Sequence, residues 1–198
     1  MRSSTYKILA WVGAIIFLGF AFYAFETKSH YNLNFPETVV NFAADDVMGG
    51  KSDYASEKGT ATLIVLTASW CPSCRAELPI LKQFNEEFGP KGLKILMIDE
   101  DDSKKVARKY KKSMDIQWTM LHWNYDALKA LGNPGVIPVS FVVDKDDKIQ
   151  HVDVGVLNEL RVRHELKRLL GQYYEMATPS PFADHDHIRT KVLSGQRE

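Results

Sequence analysis

The 198 residues suffice for one ordinary domain with a sizeable core, and an apolar content of 45% argues against wholesale disorder. With 25 basic and 25 acidic residues the formal net charge is zero, so no global field draws the chain to nucleic acid or to an anionic membrane. Its partners are therefore set by local features, and none is expected to be a nucleic acid.

Ile8 to Phe25, ILAWVGAIIFLGFAFYAF, carries no charge and as a helix spans roughly 27 Å at 1.5 Å per residue. Arg2 and Lys7 precede the run, which places residues 1–7 in the cytoplasm and makes 8–25 a retained signal-anchor. A cleaved signal peptide is the competing reading, but a cut after Ala24 sets bulky Phe22 where a small residue is wanted. Either way the remaining chain is exported, giving a single-pass protein of the inner or cytoplasmic membrane that faces the periplasm or extracellular side. Cysteines oxidise and disulfides persist in that compartment.

Residues 26–35 read as a tether, followed by a short strand or two before Gly59. TATLIVLTA is apolar on both faces, as in a central strand of a covered sheet. Cys71 to Phe88 reads as a helix with Pro72 in its first turn and Leu78, Leu81, Phe84 and Phe88 as its inward stripe; Pro79 is expected to kink it. LKILMIDED is a second buried strand running out into acidic residues, which completes a right-handed βαβ unit. SKKVARKYKKSM is a basic surface helix docked through Val106 and Tyr110. IQWTMLHW is a weaker strand, and NYDALKALG a short helix stopping at Gly132. VIPVSFVVD and KIQHVDVG are strands joined by KDDK, the first opened by Pro138, where a proline needs a reason. LNELRVRHELKRLLGQYY closes the domain with Val162, Leu166, Leu169 and Tyr173 on one face, and residues 175–198 read as a flexible tail.

Both cysteines lie in SWCPSC. With Cys71 at the helix N-cap, Cys74 is at the third helical position, and residues so spaced are about 5–6 Å apart, close enough for a disulfide. Such a short loop makes a poor staple, because the chain-entropy gain grows with loop length. The amides and dipole of the helix N-terminus favour thiolate at Cys71, making it the nucleophile, with Cys74 turned inward as the resolving thiol. The rival is a copper-handling module in which the cysteines act with His185 and His187 of the tail; a structural zinc site would want a second CxxC, which is absent. No resident metal or cofactor is expected.

WCPSC after a buried strand, Pro79 five residues beyond the second cysteine, and GVIPVSFVVDKDDKIQHVDVG together resemble the thioredoxin fold: α/β, a central mixed sheet flanked by helices, here over residues 36–174. CRAELP, GLKILMID and the N-terminal anchor are similar to the membrane-tethered TlpA/ResA branch. The resemblance implies a protein thiol-disulfide oxidoreductase, acting as a reductant fed by a membrane electron donor, with apocytochrome c or a copper-site protein as candidate clients. It implies a cis Ile137–Pro138 bond facing the cysteines, and substrate contacts from Trp70, Pro72, Ile137 and Pro138. Trp70 is otherwise a core aromatic. Glu77 matches an acidic residue that assists proton movement at the resolving cysteine, or is a surface salt-bridge partner. Val65 departs from the pattern, standing where thioredoxins proper carry a buried Asp, and Thr67 stands where an aromatic is common.

Overall fold

The computed structural model describes Trp11, residues 13–19 and residues 34–171, and the chain divides into two units, Met1–Asn34 and Phe35–Glu198. In the first unit Trp11 and residues 13–19 are helical. Most of the expected 8–25 span lies outside the described residues, and among those no helix is long and apolar enough to cross a membrane. Tyr173 and the 175–198 tail, with His185 and His187, also lie outside them.

The second unit is organised by β3 (Ala61–Thr67), which is buried at every position. Its side chains alternate between two apolar layers, Leu63 and Val65 in one, Ile64 and Leu66 in the other, so a strand apolar on both faces becomes the centre of a three-layer structure. β4 (Leu93–Asp99) pairs parallel to it in register from Ala61↔Leu93 to Thr67↔Asp99, and β5 (Thr119–His122) pairs parallel to β4. On the other side β6 (Val139–Asp144) is antiparallel to β3, and β7 (Ile149–Val154) antiparallel to β6. β1 (Ala43–Asp46) and β2 (Lys51–Asp53) complete a mixed seven-stranded sheet of order β2-β1-β5-β4-β3-β6-β7.

A short helix, α1 (Tyr54–Glu57), follows β2, and α2 (Pro72–Phe88) covers one face of the sheet. Leu78, Leu81, Phe84 and Phe88 are buried as their spacing predicts, and the helix runs unbroken through Pro79, which faces solvent. At its far end Gly92 takes φ +107°, a backbone that side chains rarely adopt, to turn into β4. α3 (Lys104–Ser113), α4 (Tyr125–Ala130) and α5 (Glu159–Leu169) begin at the capping side chains of Ser103, Asn124 and Asn158. α5 locks onto α2 through Arg163, which pairs with Glu87 and Glu159 and lies over the rings of Phe84 and Phe88 at 5.0 and 5.8 Å.

One expected contact is corrected. On α3 the buried pair is Ala107 and Tyr110, whereas Val106 is 43% exposed. Both pairings with Tyr110 satisfy helical spacing, and the small Ala107 is the one that fits beneath the helix at close approach to the sheet. A closure invisible in local patterns joins the start of the domain to the β6–β7 turn. Val39 N–H donates to Asp147 O at 2.8 Å, and Ile149 N–H to Glu37 O at 2.9 Å. The Asp147 carboxylate receives the Tyr54 hydroxyl at 2.8 Å and Lys58 Nζ at 2.7 Å.

Candidate active site

β3 ends at Thr67, and the chain turns through Ala68–Trp70 before α2 begins, so the first turn of α2 sits at the carboxyl edge of the sheet. Cys71 is the N-cap, its Sγ accepting the Cys74 N–H at 3.1 Å, and its own N–H donates to Ala68 O at 3.2 Å. Cys71 and Cys74 form a disulfide with Cα atoms 5.3 Å apart. The helix N-terminus that accommodates this sulfur in the oxidised pair is the electrostatic environment that stabilises a thiolate once the pair is reduced.

The expected division by exposure is shallow. Cys71 is 4% exposed and Cys74 1%, because Ala68 and the two sulfurs form one small cluster against which Ile137 packs. What distinguishes the cysteines is position: Cys71 occupies the cap, and Cys74 lies on the buried face of the helix. Ile137–Pro138 is a cis peptide, and it leads directly into β6 beside β3. The structure therefore brings Ile137 against the cysteine pair across 63 or more positions of sequence. Pro72 is the exposed first residue of α2, and Trp70, 66% exposed, is a surface aromatic next to Cys71 rather than a core residue.

Glu77 follows Cys74 by three residues, on the same buried face of α2, and is fully enclosed. Its Oε1 accepts the Leu157 N–H at 2.6 Å, and its Oε2 has no partner. Burial pushes the carboxyl up to about 7, opposed by the Leu157 hydrogen bond and helped by the negative charge of Asp153. The surface salt-bridge alternative is thereby removed: the acid faces a backbone amide. Val65, in the position of the thioredoxin aspartate, is enclosed in the apolar layer with Leu78 and Leu81, whereas the buried Glu77 carboxyl lies on the Cys74 face of α2.

Sequence reasoning missed the acids behind the redox loop. Asp101 is buried and accepts the Ser69 hydroxyl at 2.8 Å and the Ser69 N–H at 3.2 Å, holding the loop two residues before Cys71. Asp99 accepts the Asp101 N–H at 3.1 Å, and burial pushes its own carboxyl up to about 8. Thr67, Asp99 and His122 occupy adjacent positions across β3, β4 and β5, with His122 Nδ1 3.8 Å from Asp99 Oδ1. The signal available was the acidic run IDEDD at the end of a buried strand, where charge has no place unless it is engaged. Among the described residues no group of three His, Cys, Asp or Glu side chains is placed to hold a metal ion.

The Redoxin family model matches residues 35–170. Thiol-disulfide oxidoreductase ResA of Bacillus cereus (strain ZK / E33L) is 23% identical over 162 residues, covering 82% of this chain and 89% of that protein. Thioredoxin-like protein YneN of Bacillus subtilis (strain 168) is 23% identical over 166 residues, covering 81% and 96%. Among solved structures, a thioredoxin-family thiol:disulfide interchange protein of Chlorobium tepidum TLS superposes with a TM-score of 0.61 at 26% identity, covering 69% of this chain and 97% of that one. A thiol:disulfide interchange protein from Bacteroides sp. gives 0.60 at 18% identity, covering 78% and 97%. With a cysteine pair capping a helix beside a cis-proline strand entrance, and a family match across residues 35–170, this chain belongs to the redoxin family, as a thioredoxin-like protein of the TlpA/ResA type.

Proposed function

We propose that this protein is a membrane-anchored, extracytoplasmic reductant of protein disulfides. It is a thiol-disulfide oxidoreductase, and the observation that carries this reading is the Cys71–Cys74 disulfide capping α2 with Ile137 packed against it. In the reducing direction the Cys71 thiolate attacks a client disulfide, forming a mixed disulfide and expelling one client thiolate. Cys74 then loses its proton to the Glu77 carboxylate and attacks Cys71 Sγ. The second client thiolate leaves, and the Cys71–Cys74 bond forms. Two electrons pass from the protein dithiol to the client, and a membrane dithiol donor restores the pair.

Glu77 suits the second step because it lies on the face of α2 that carries Cys74, and a carboxyl near 7 exchanges protons readily at neutral pH. Trp70 and Pro72 on the surface beside the pair, with Ile137 and Pro138, supply the contacts for a client strand. The uncharged run 8–25 supports the anchor and the export of the domain, and the likeness to the ResA branch supports reduction, with apocytochrome c or a copper-site protein as client class. The test is a Cys74→Ser variant: it is expected to accumulate client mixed disulfides that disappear when Cys71 is also replaced. Absence of adducts, or adducts that persist without Cys71, rejects the assignment. A strongly reducing potential of the pair supports the direction; one near −120 mV, the value typical of a dedicated oxidant, reverses it.

A further inference from the structure

α3 buries Ala107 and Tyr110 and turns Lys105, Arg108, Lys109 and Lys112 to solvent. Between this helix and the redox loop runs a cleft of about 250 Å³ lined by Ser69, Arg75, Val106, Lys109, Tyr110 and Ser113. It begins two residues before Cys71 and one residue after Cys74. A second, shallower cleft of about 460 Å³ shares Lys109 and Ser113 with the first and continues it along Lys105, Arg108 and Lys112.

The cations of this track are unequally engaged. Lys104 pairs with Asp45, Arg108 Nε donates to Val47 O, and Lys111 donates to Trp118 O. Among the described residues no carboxylate pairs with Lys105, Lys109, Lys112 or Arg75. Asp101, the acid beneath the redox loop, is buried and occupied by Ser69. The wall of the first cleft adds exposed Val106 and the buried Tyr110, whose hydroxyl is withdrawn from the cleft toward Thr67. In a chain of zero net charge, an unneutralised cationic track that starts at the redox pair is a local feature and not a by-product of composition.

We infer that this track docks the acidic flank of a client polypeptide whose cysteine sits at Cys71. The inference rests on the oxidoreductase function proposed above and specifies its client. From Lys105 to Lys112 the helix advances about 10 Å at 1.5 Å per residue. An extended client strand covers that length with about three residues at 3.3 Å each, so a short acidic run flanking the client cysteine spans the track. A lipid surface is the other anionic partner such a track could meet. Because the cleft opens beside Ser69 and Arg75, a bilayer seated on it would also cover the redox pair, which favours a polypeptide.

The test uses the full chain in its reduced form and three peptides, each with one cysteine held as a mixed disulfide with 2-mercaptoethanol and flanked by Glu, Gln or Lys. Each turnover releases peptide thiol and 2-mercaptoethanol and forms the Cys71–Cys74 disulfide, a balanced two-electron exchange. At about 20 mM salt the Glu peptide is expected to react about tenfold faster in kcat/KM than the Gln peptide, and the ratio to fall to about one at 0.5 M salt. The ratio is also expected to be about one in a Lys105→Gln/Lys109→Gln/Lys112→Gln variant with an unchanged melting temperature. Lys109→Glu alone is expected to shift preference toward the Lys peptide, which keeps the test independent of the triple variant's folding. Equal Glu and Gln rates at low salt, or a preference that survives both variants, overturn the docking surface while leaving the oxidoreductase function standing. Lysine-dependent sedimentation with phosphatidylglycerol vesicles without any peptide preference assigns the track to lipid and likewise overturns it. No exchange with any peptide rejects the function and the docking surface together.

Discussion

Replacing Glu77 by Gln tests whether the buried carboxyl of the site is a proton acceptor or only a packing element. Its carboxyl is raised from 4.5 to about 7, chiefly by burial, and at about 1.4 kcal/mol per pH unit this makes the ionised form about 3 kcal/mol less compatible with the fold than the neutral form. The native state therefore holds the proton over a range in which the unfolded chain has released it. Stability from this group is fully present below pH 4.5, declines as pH rises, and is lost above about 7. Gln keeps an oxygen for the Leu157 N–H but cannot ionise. Urea unfolding of the oxidised protein between pH 4 and 8 is expected to show the wild type losing about 3 kcal/mol relative to Glu77→Gln, with the variant the more stable at pH 8. The same substitution is expected to slow release of a preformed client mixed disulfide about 100-fold at pH 7, the low end of the usual contribution from general acid–base assistance. Unfolding curves that stay parallel across this range, together with an unchanged release rate, would refute both the buried acid and its role at Cys74.

Three further outcomes follow from packing and hydrogen bonding. Asp101→Ala removes the acceptor of two Ser69 donors and is expected to cost about 3 kcal/mol, since hydrogen bonds to charged groups contribute about 1.5–3 kcal/mol and the donors are left in a part-buried loop; denaturant midpoints of wild type and variant measure it. Phe84→Ala empties a fully buried site between β3 and α5 and strips Arg163 of one aromatic face, for an expected loss of about 3–5 kcal/mol read by thermal or urea unfolding. Gly92→Ala places a Cβ 2.8 Å from Thr60 Oγ1 at a φ of +107°, so it is expected to destabilise by at least about 1 kcal/mol. A neutral or stabilising result there would contradict the observed turn.

The strands and helices from β3 onward, and the placement of Cys71 and Cys74 in the first turn of α2, were written in the sequence because their signals are local, whereas the short helix Tyr54–Glu57 before them was not foreseen. Period-two and helical apolar spacing, capping side chains and Pro72 all act within a few residues. Glu77 shares the Cys74–Leu78–Leu81 face, yet the sequence left a surface salt bridge open for it, because its enclosure depends on the Leu157 segment arriving from 80 positions away. The meeting of Ile137 with the cysteine pair was foreseen only through the family resemblance, and tertiary structure alone decided that Asp101 holds Ser69 and that Ala107 rather than Val106 faces the sheet. It also decided that Asp147 closes the start of the domain through Tyr54 and Lys58. In each case the energy comes from withdrawing a polar or apolar group from water beside a partner distant in the chain, and strand order, which no local pattern encodes, determines which partner is there.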